Sequence, residues 1–107
     1  SMAKRTSLRR PVAVKDLLKD LLKPADWQAL EQRRLIRGVW DAVLPGALLS
    51  QTRLVDVRRK ELWVEVSASP YAQELQFLKP RILQELEKTL GVGVIRDIRL
   101  SVGEGFG

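Results

Sequence analysis

The sequence predicts an α+β domain: a three-stranded sheet packed in two layers on helices, in the order ααββααβ. Three observations predict it. Apolar spacing changes from helical to alternating near Arg53, one helical stripe runs from Tyr71 to Leu90, and a last alternating run precedes a glycine-rich tail.

The elements follow in chain order. Val14, Leu17, Leu18, Leu21 and Leu22 recur at helical spacing, opposite Lys15, Asp16, Lys19 and Asp20, and Lys23-Pro24 stops this first amphipathic helix. A second helix is expected with Asp26 as N-cap, running through Leu30, Leu35, Ile36, Val39 and Val43, with Trp27 and Trp40 facing inward and Pro45-Gly46 ending it. Val55 and Val57 then alternate with Leu54, Asp56 and Arg58, while Leu62, Val64 and Val66 alternate with Trp63, Glu65 and Ser67. With Arg59-Lys60-Glu61 as turn, the two runs predict a β-hairpin with one apolar face.

Ser69 as N-cap and Pro70 at the first helical position open a stripe of Tyr71, Leu75, Leu78, Ile82, Leu86 and Leu90, closed by Gly91. Pro80 interrupts it, and the lost N–H predicts two helices or a kinked one, the second starting at Pro80. Ile98, Leu100 and Val102 alternate with Asp97, Arg99 and Ser101 as the third strand. Helices over one face of the sheet leave the other wet, with Arg58, Trp63, Glu65, Asp97, Arg99 and Ser101 on it.

Length supports one core. The chain has 107 residues, 45% hydrophobic and 30% charged, within ordinary globular usage. It contains neither Cys nor His, which removes thiolate and imidazole chemistry, Cys or His metal sites and disulfides, so no cofactor is expected. No apolar run approaches the ~20 residues of a membrane span or follows a basic start as a signal peptide would, so a soluble, cytoplasmic protein is expected. Ser1 in front of Met2 reads as a cloning remnant. Carboxylates sit mostly beside bases on helix surfaces, as Glu85 and Glu87 do near Arg81 and Lys88, which predicts solvated faces and no enzyme.

Charge is unevenly placed. Lys4, Arg5, Arg9 and Arg10 give residues 1–10 a charge of +4 out of a net +6, leaving the rest almost balanced. The expected organisation is a basic arm over 1–10, a domain over 11–103 and a flexible tail over 104–107. Such an arm points to a polyanion, nucleic acid first. Arg33, Arg34 and Arg37 on the polar side of the second helix are further candidate phosphate contacts, with a solvated face as the alternative. Trp63 interrupts a polar face between arginines of neighbouring strands, a combination that suits nucleic-acid bases and protein hot spots alike. Arg58, Trp63 and Arg99 are therefore candidate partner-binding residues, although a broad indole also serves to cover a sheet.

A resemblance adds to this reading. Leu62-Trp63-Val64-Glu65-Val66, Ser69-Pro70-Tyr71-Ala72-Gln73-Glu74-Leu75, then Leu78, Ile82, Leu83, Leu86 and Leu90-Gly91, and Ile95-Arg96-Asp97-Ile98-Arg99-Leu100-Ser101-Val102-Gly103 resemble the DciA family of bacterial replicative-helicase loaders, with Trp40 and Val43 matching its upstream tryptophan element. The resemblance covers roughly residues 30 to 103. It implies a fold similar to a type II KH domain, and a non-enzymatic factor that binds the replicative helicase DnaB and helps place it on single-stranded DNA. KH domains grip nucleic acid with a Gly-x-x-Gly loop, where this chain has Leu78-Lys79-Pro80-Arg81, so strand contact is expected from basic side chains, Lys79 and Arg81 among them. The alternative is a stand-alone KH-like RNA-binding module, of the ribosome-associated kind for example, using the Trp63 face.

Overall fold

The computed structural model of the protein describes residues 21–103. The basic arm, the tail over 104–107 and most of the first expected helix lie outside the described residues. Contacts divide the chain between Gln32 and Arg33 into two compact units.

Of the first unit, the main described feature is the start of helix α1 (Pro24–Val43). Pro24 opens this helix, since a proline in the first turn forfeits no helical bond, and the preceding helical run ends at Leu21, ahead of Lys23-Pro24 as expected. The Lys23 carbonyl accepts the Trp27 N–H at 2.9 Å. Asp26 therefore sits inside the first turn, where its charge meets the positive end of the helix, and is not the N-cap expected. Trp27 is half-buried.

The second unit holds the rest of α1, a short α2 (Gly46–Leu49), strands β1 (Thr52–Arg58) and β2 (Glu61–Val66), helix α3 (Ser69–Leu90) and strand β3 (Asp97–Val102). Pro45-Gly46 ends α1 as expected but starts another helical turn. The sheet order is β1-β2-β3, with β2 antiparallel to β1 and parallel to β3. A parallel neighbour requires a crossover, and α3 supplies it.

The core joins Ile36, Val39 and Trp40 of α1 to Leu48, to Leu62, Val64 and Val66 of β2, to Leu75, Ile82 and Leu86 of α3, and to Ile95 and Ile98. Strand β2 alternates strictly between buried and half-buried residues, and the α3 stripe is inward as expected, with Tyr71, Leu78 and Leu90 packed at its margins. Each fully buried Leu or Ile contributes roughly 1.5–3 kcal/mol of transfer free energy, so this cluster dominates the fold's stability.

Three expectations are corrected. Helix α3 is continuous from Ser69 to Leu90 with Pro80 inside it, so of the two expected outcomes, two helices or a kinked one, the chain does not break into two. Pro80 and Gln76 are both exposed, so water can serve the carbonyl that proline leaves unbonded, while Leu75 on one side and Ile82 and Leu86 on the other anchor both halves in the core. The N-cap is Ala68, not Ser69, and gives no side-chain bond. In β1, alternation breaks: Leu54 pairs with Val64 but Asp56 with Trp63, so Val55 is an extra, bulged residue. Val55 is consequently exposed, and Leu54 and Val57 pack on the core instead of Val55 and Val57.

The hairpin turn is tighter than expected. Arg58 pairs with Glu61, leaving Arg59 and Lys60 as the turn, with φ of 51° and 65°. Both lie in the left-handed region that two-residue hairpin turns of type I′ demand, where Asn-Gly is usual and other side chains cost about 1–2 kcal/mol each.

Candidate functional site

The outer face of the sheet collects residues from all three strands. Register sets Asp56, Trp63 and Arg99 in one row across the sheet, Arg58, Glu61 and Asp97 in the next, and Arg53, Glu65 and Ser101 on the other side. The hairpin register sets the first row: counted back from the Arg58–Glu61 pair, Asp56 comes opposite Trp63, and the bulge at Val55 lies beyond it.

Trp63 is the centre of this face. The guanidinium of Arg58 stands 5.6 Å from its ring centroid and that of Arg99 5.7 Å, both within cation–π range. Each arginine is held in turn by an acid: Arg58 Nε lies 3.2 Å from Asp56 Oδ2, and Arg99 Nε 3.8 Å from Glu61 Oε2. Two further pairs flank them, Arg53 with Glu65, and Lys79 Nζ with Asp97 Oδ1 at 2.6 Å. Gly103 closes tightly over the Glu65 side chain, where any Cβ would overlap it. The indole Nε1 of Trp63 is buried without a hydrogen-bond partner among the described residues. An orphaned buried donor costs about 1–3 kcal/mol.

Two carboxylates are tuned by these contacts. The Val57 backbone N–H, 2.8 Å from Asp56 Oδ1, and the Arg58 side chain hold the Asp56 carboxyl below its ordinary value, with Arg33 adding its charge. The Lys79 ammonium, followed by the Ile98 N–H at 2.8 Å, does the same for Asp97. Both acids are thus firmly ionised at neutral pH, and the face is a lattice of opposite charges around one aromatic ring.

The structure brings Arg58, Trp63 and Arg99 together as the sequence predicts. It does not gather the basic candidates in the same way. Arg33 is drawn to Asp56 at 3.1 Å, and Arg37 pairs with Asp41 at 2.8 Å along α1. Arg34 borders a shallow groove with Glu85 between α1 and α3. Lys79 is engaged by Asp97, while Arg81 is exposed on α3. Lys4, Arg5, Arg9 and Arg10 lie outside the described residues. Sequence reasoning missed Asp56 and Glu61 as the anions that fix the two arginines. Finding them requires side-chain geometry and the register of β3 on β2, which alternation within one strand does not give.

No group of three or more acidic side chains among the described residues is placed to hold a metal ion. No described helix is long and apolar enough to cross a membrane. Architecture and face together define a small α+β domain that presents an aromatic side chain among fixed charges. Over residues 13–100 the chain matches the family model described as "Dna[CI] antecedent, DciA", and it belongs to that family of loader-type DNA-replication factors. Comparison with curated proteins returns no match.

Proposed function

We propose that the protein binds the replicative helicase DnaB and promotes its loading on single-stranded DNA, with the Trp63 face as the helicase-docking surface. The observation that carries this reading is Trp63 held between Arg58 and Arg99, each arginine fixed by an acid. Tryptophan and arginine are the side chains that most often anchor protein interfaces. The four ion pairs make the face nearly neutral, which suits a protein partner better than a polyanion.

Strand contact then falls to the cations elsewhere: Lys4, Arg5, Arg9 and Arg10 in the arm, with Arg81. Arg33, Arg34, Arg37 and Lys79 would have to exchange an existing interaction for a phosphate. The succession helix, strand, strand, helix, strand supports a KH-like domain of type II, in which α3 fills the length of two successive helices.

The test is a pull-down of the helicase followed by an unwinding assay. Capture, with stimulation that disappears when the helicase is omitted, supports the loader. Tight RNA binding without effect on the helicase would support the stand-alone RNA-binding module instead.

A further inference from the structure

We infer that Arg59 and Lys60 at the hairpin tip, together with Arg96 from the loop before β3, form a phosphate-binding corner for single-stranded DNA. The inference rests on the strand-loading reading above and locates one strand contact on the folded domain.

The turn is built against its own backbone preference. Arg59 and Lys60 both have positive φ, 51° and 65°, where Asn-Gly would fit without strain. Two long cations at such a turn carry a cost that the fold does not require, and strain of this kind collects where side chains are used. A third cation is brought to them by the backbone: the Arg96 N–H donates to the Lys60 carbonyl at 2.7 Å, tying the loop after α3 to the tip.

The charge of this corner is uncompensated. Arg59, Lys60 and Arg96 are exposed, and among the described residues none of the three takes part in an ion pair. The nearest acids on the sheet are already engaged, Asp56 by Arg33 and Arg58, Glu61 by Arg99, and Asp97 by Lys79. The balanced Trp63 face thus gives way, at one end of the sheet, to three free positive charges.

An open groove begins at the same corner. Arg96 stands on its border, with Pro80, Leu83 and Ile95 as apolar lining and Gln84 and Glu87 as polar lining. Glu87 disfavours phosphate inside the groove, whereas the apolar lining accepts the flat faces of bases. A strand whose backbone lies on Arg59, Lys60 and Arg96 while a base enters the groove satisfies both chemistries. A peptide of acidic residues alone would use the cations but not the groove.

The experiment uses the full chain and a fluorescent oligothymidylate, titrated at several salt concentrations. The variant is Arg59→Asn/Lys60→Gly/Arg96→Gln, which removes three charges while giving the turn the residues its backbone favours. Its thermal midpoint is therefore expected to equal or exceed that of the unsubstituted chain. Each lost phosphate contact on a single strand flattens log K against log salt by about 0.7, so the slope should fall by up to roughly 2 units, with the two curves converging at high salt. An unchanged slope and affinity, or no oligothymidylate binding by the unsubstituted chain, overturns the corner. So does a variant that loses binding to polyglutamate but keeps the oligonucleotide, which would assign these cations to an acidic protein segment. Helicase capture is measured in parallel. If the unsubstituted chain fails to capture the helicase, the loader reading falls, and the oligonucleotide titration still decides the corner by itself.

Discussion

Trp40 Nε1 donates a hydrogen bond of 3.0 Å to Thr52 Oγ1, and the Thr52 hydroxyl in turn donates to the Leu49 carbonyl at 2.9 Å. Trp40 is fully buried, so this relay is what allows an indole N–H into the core where α1, α2 and β1 meet. Trp63 has no such acceptor among the described residues. One tryptophan is thus satisfied within the fold, and the other carries an unused donor on the face assigned to a partner.

Thr52→Val keeps the shape of the side chain and removes the acceptor. It should destabilise the domain by about 1–3 kcal/mol in urea unfolding, the cost of a buried orphan donor, while Thr52→Ser restores most of the loss. Equal stability of the valine variant would show that the Trp40 bond contributes nothing.

Leu86 is 1% exposed and central to the inward stripe of α3. Leu86→Ala should cost about 2–5 kcal/mol, and urea unfolding measures it directly. Phe77, on the same helix but 87% exposed, provides the contrast: Phe77→Ala should fall within about 0.5 kcal/mol of the unsubstituted chain.

Much of this fold is legible in the sequence, and the exceptions have physical causes. Leu62, Val64 and Val66 announce β2 because a half-buried strand must alternate. Val55 misleads because a bulge takes it out of the alternation, so that Leu54 before it packs on the core while Asp56, Val57 and Arg58 keep the faces expected. Pro80 misleads because local backbone chemistry argues for a break, while Leu75, Ile82 and Leu86 hold one helix across it. Of the site, Trp63 with Arg58 and Arg99 follows from strand alternation. The Arg59–Lys60–Arg96 corner does not, since it depends on a backbone bond between residues 36 positions apart in the chain.

Acid should weaken the fold through Asp97. Its carboxyl is held below the ordinary value of 3.8, so the Lys79–Asp97 contact stabilises the folded state above that value and is lost as pH falls through the folded pKa. The stability advantage of the unsubstituted chain over Asp97→Asn should be present at neutral pH and shrink below about pH 4, measured by urea unfolding at a series of pH values. A difference that stays constant down to strongly acidic pH would remove Asp97 from the account.

Deleting residues 1–10 takes away +4 of the net +6 and none of the described core. Binding to single-stranded DNA should weaken, with the salt slope flattened by up to roughly 3 units, while the thermal midpoint stays close to that of the full chain. An unchanged slope would exclude the arm as a strand contact.

The most direct test of the central claim is the affinity of Trp63→Ala for the helicase, measured beside its urea unfolding. Partial burial between two arginines predicts a modest stability cost, with each cation–π contact worth about 0.5–1 kcal/mol. Helicase affinity should fall by more than about 1 kcal/mol, with Arg58→Ala and Arg99→Ala weakening it in the same direction. A Trp63→Ala protein that binds the helicase as tightly as the unsubstituted chain, whatever its stability, would contradict the assignment of this face to the partner.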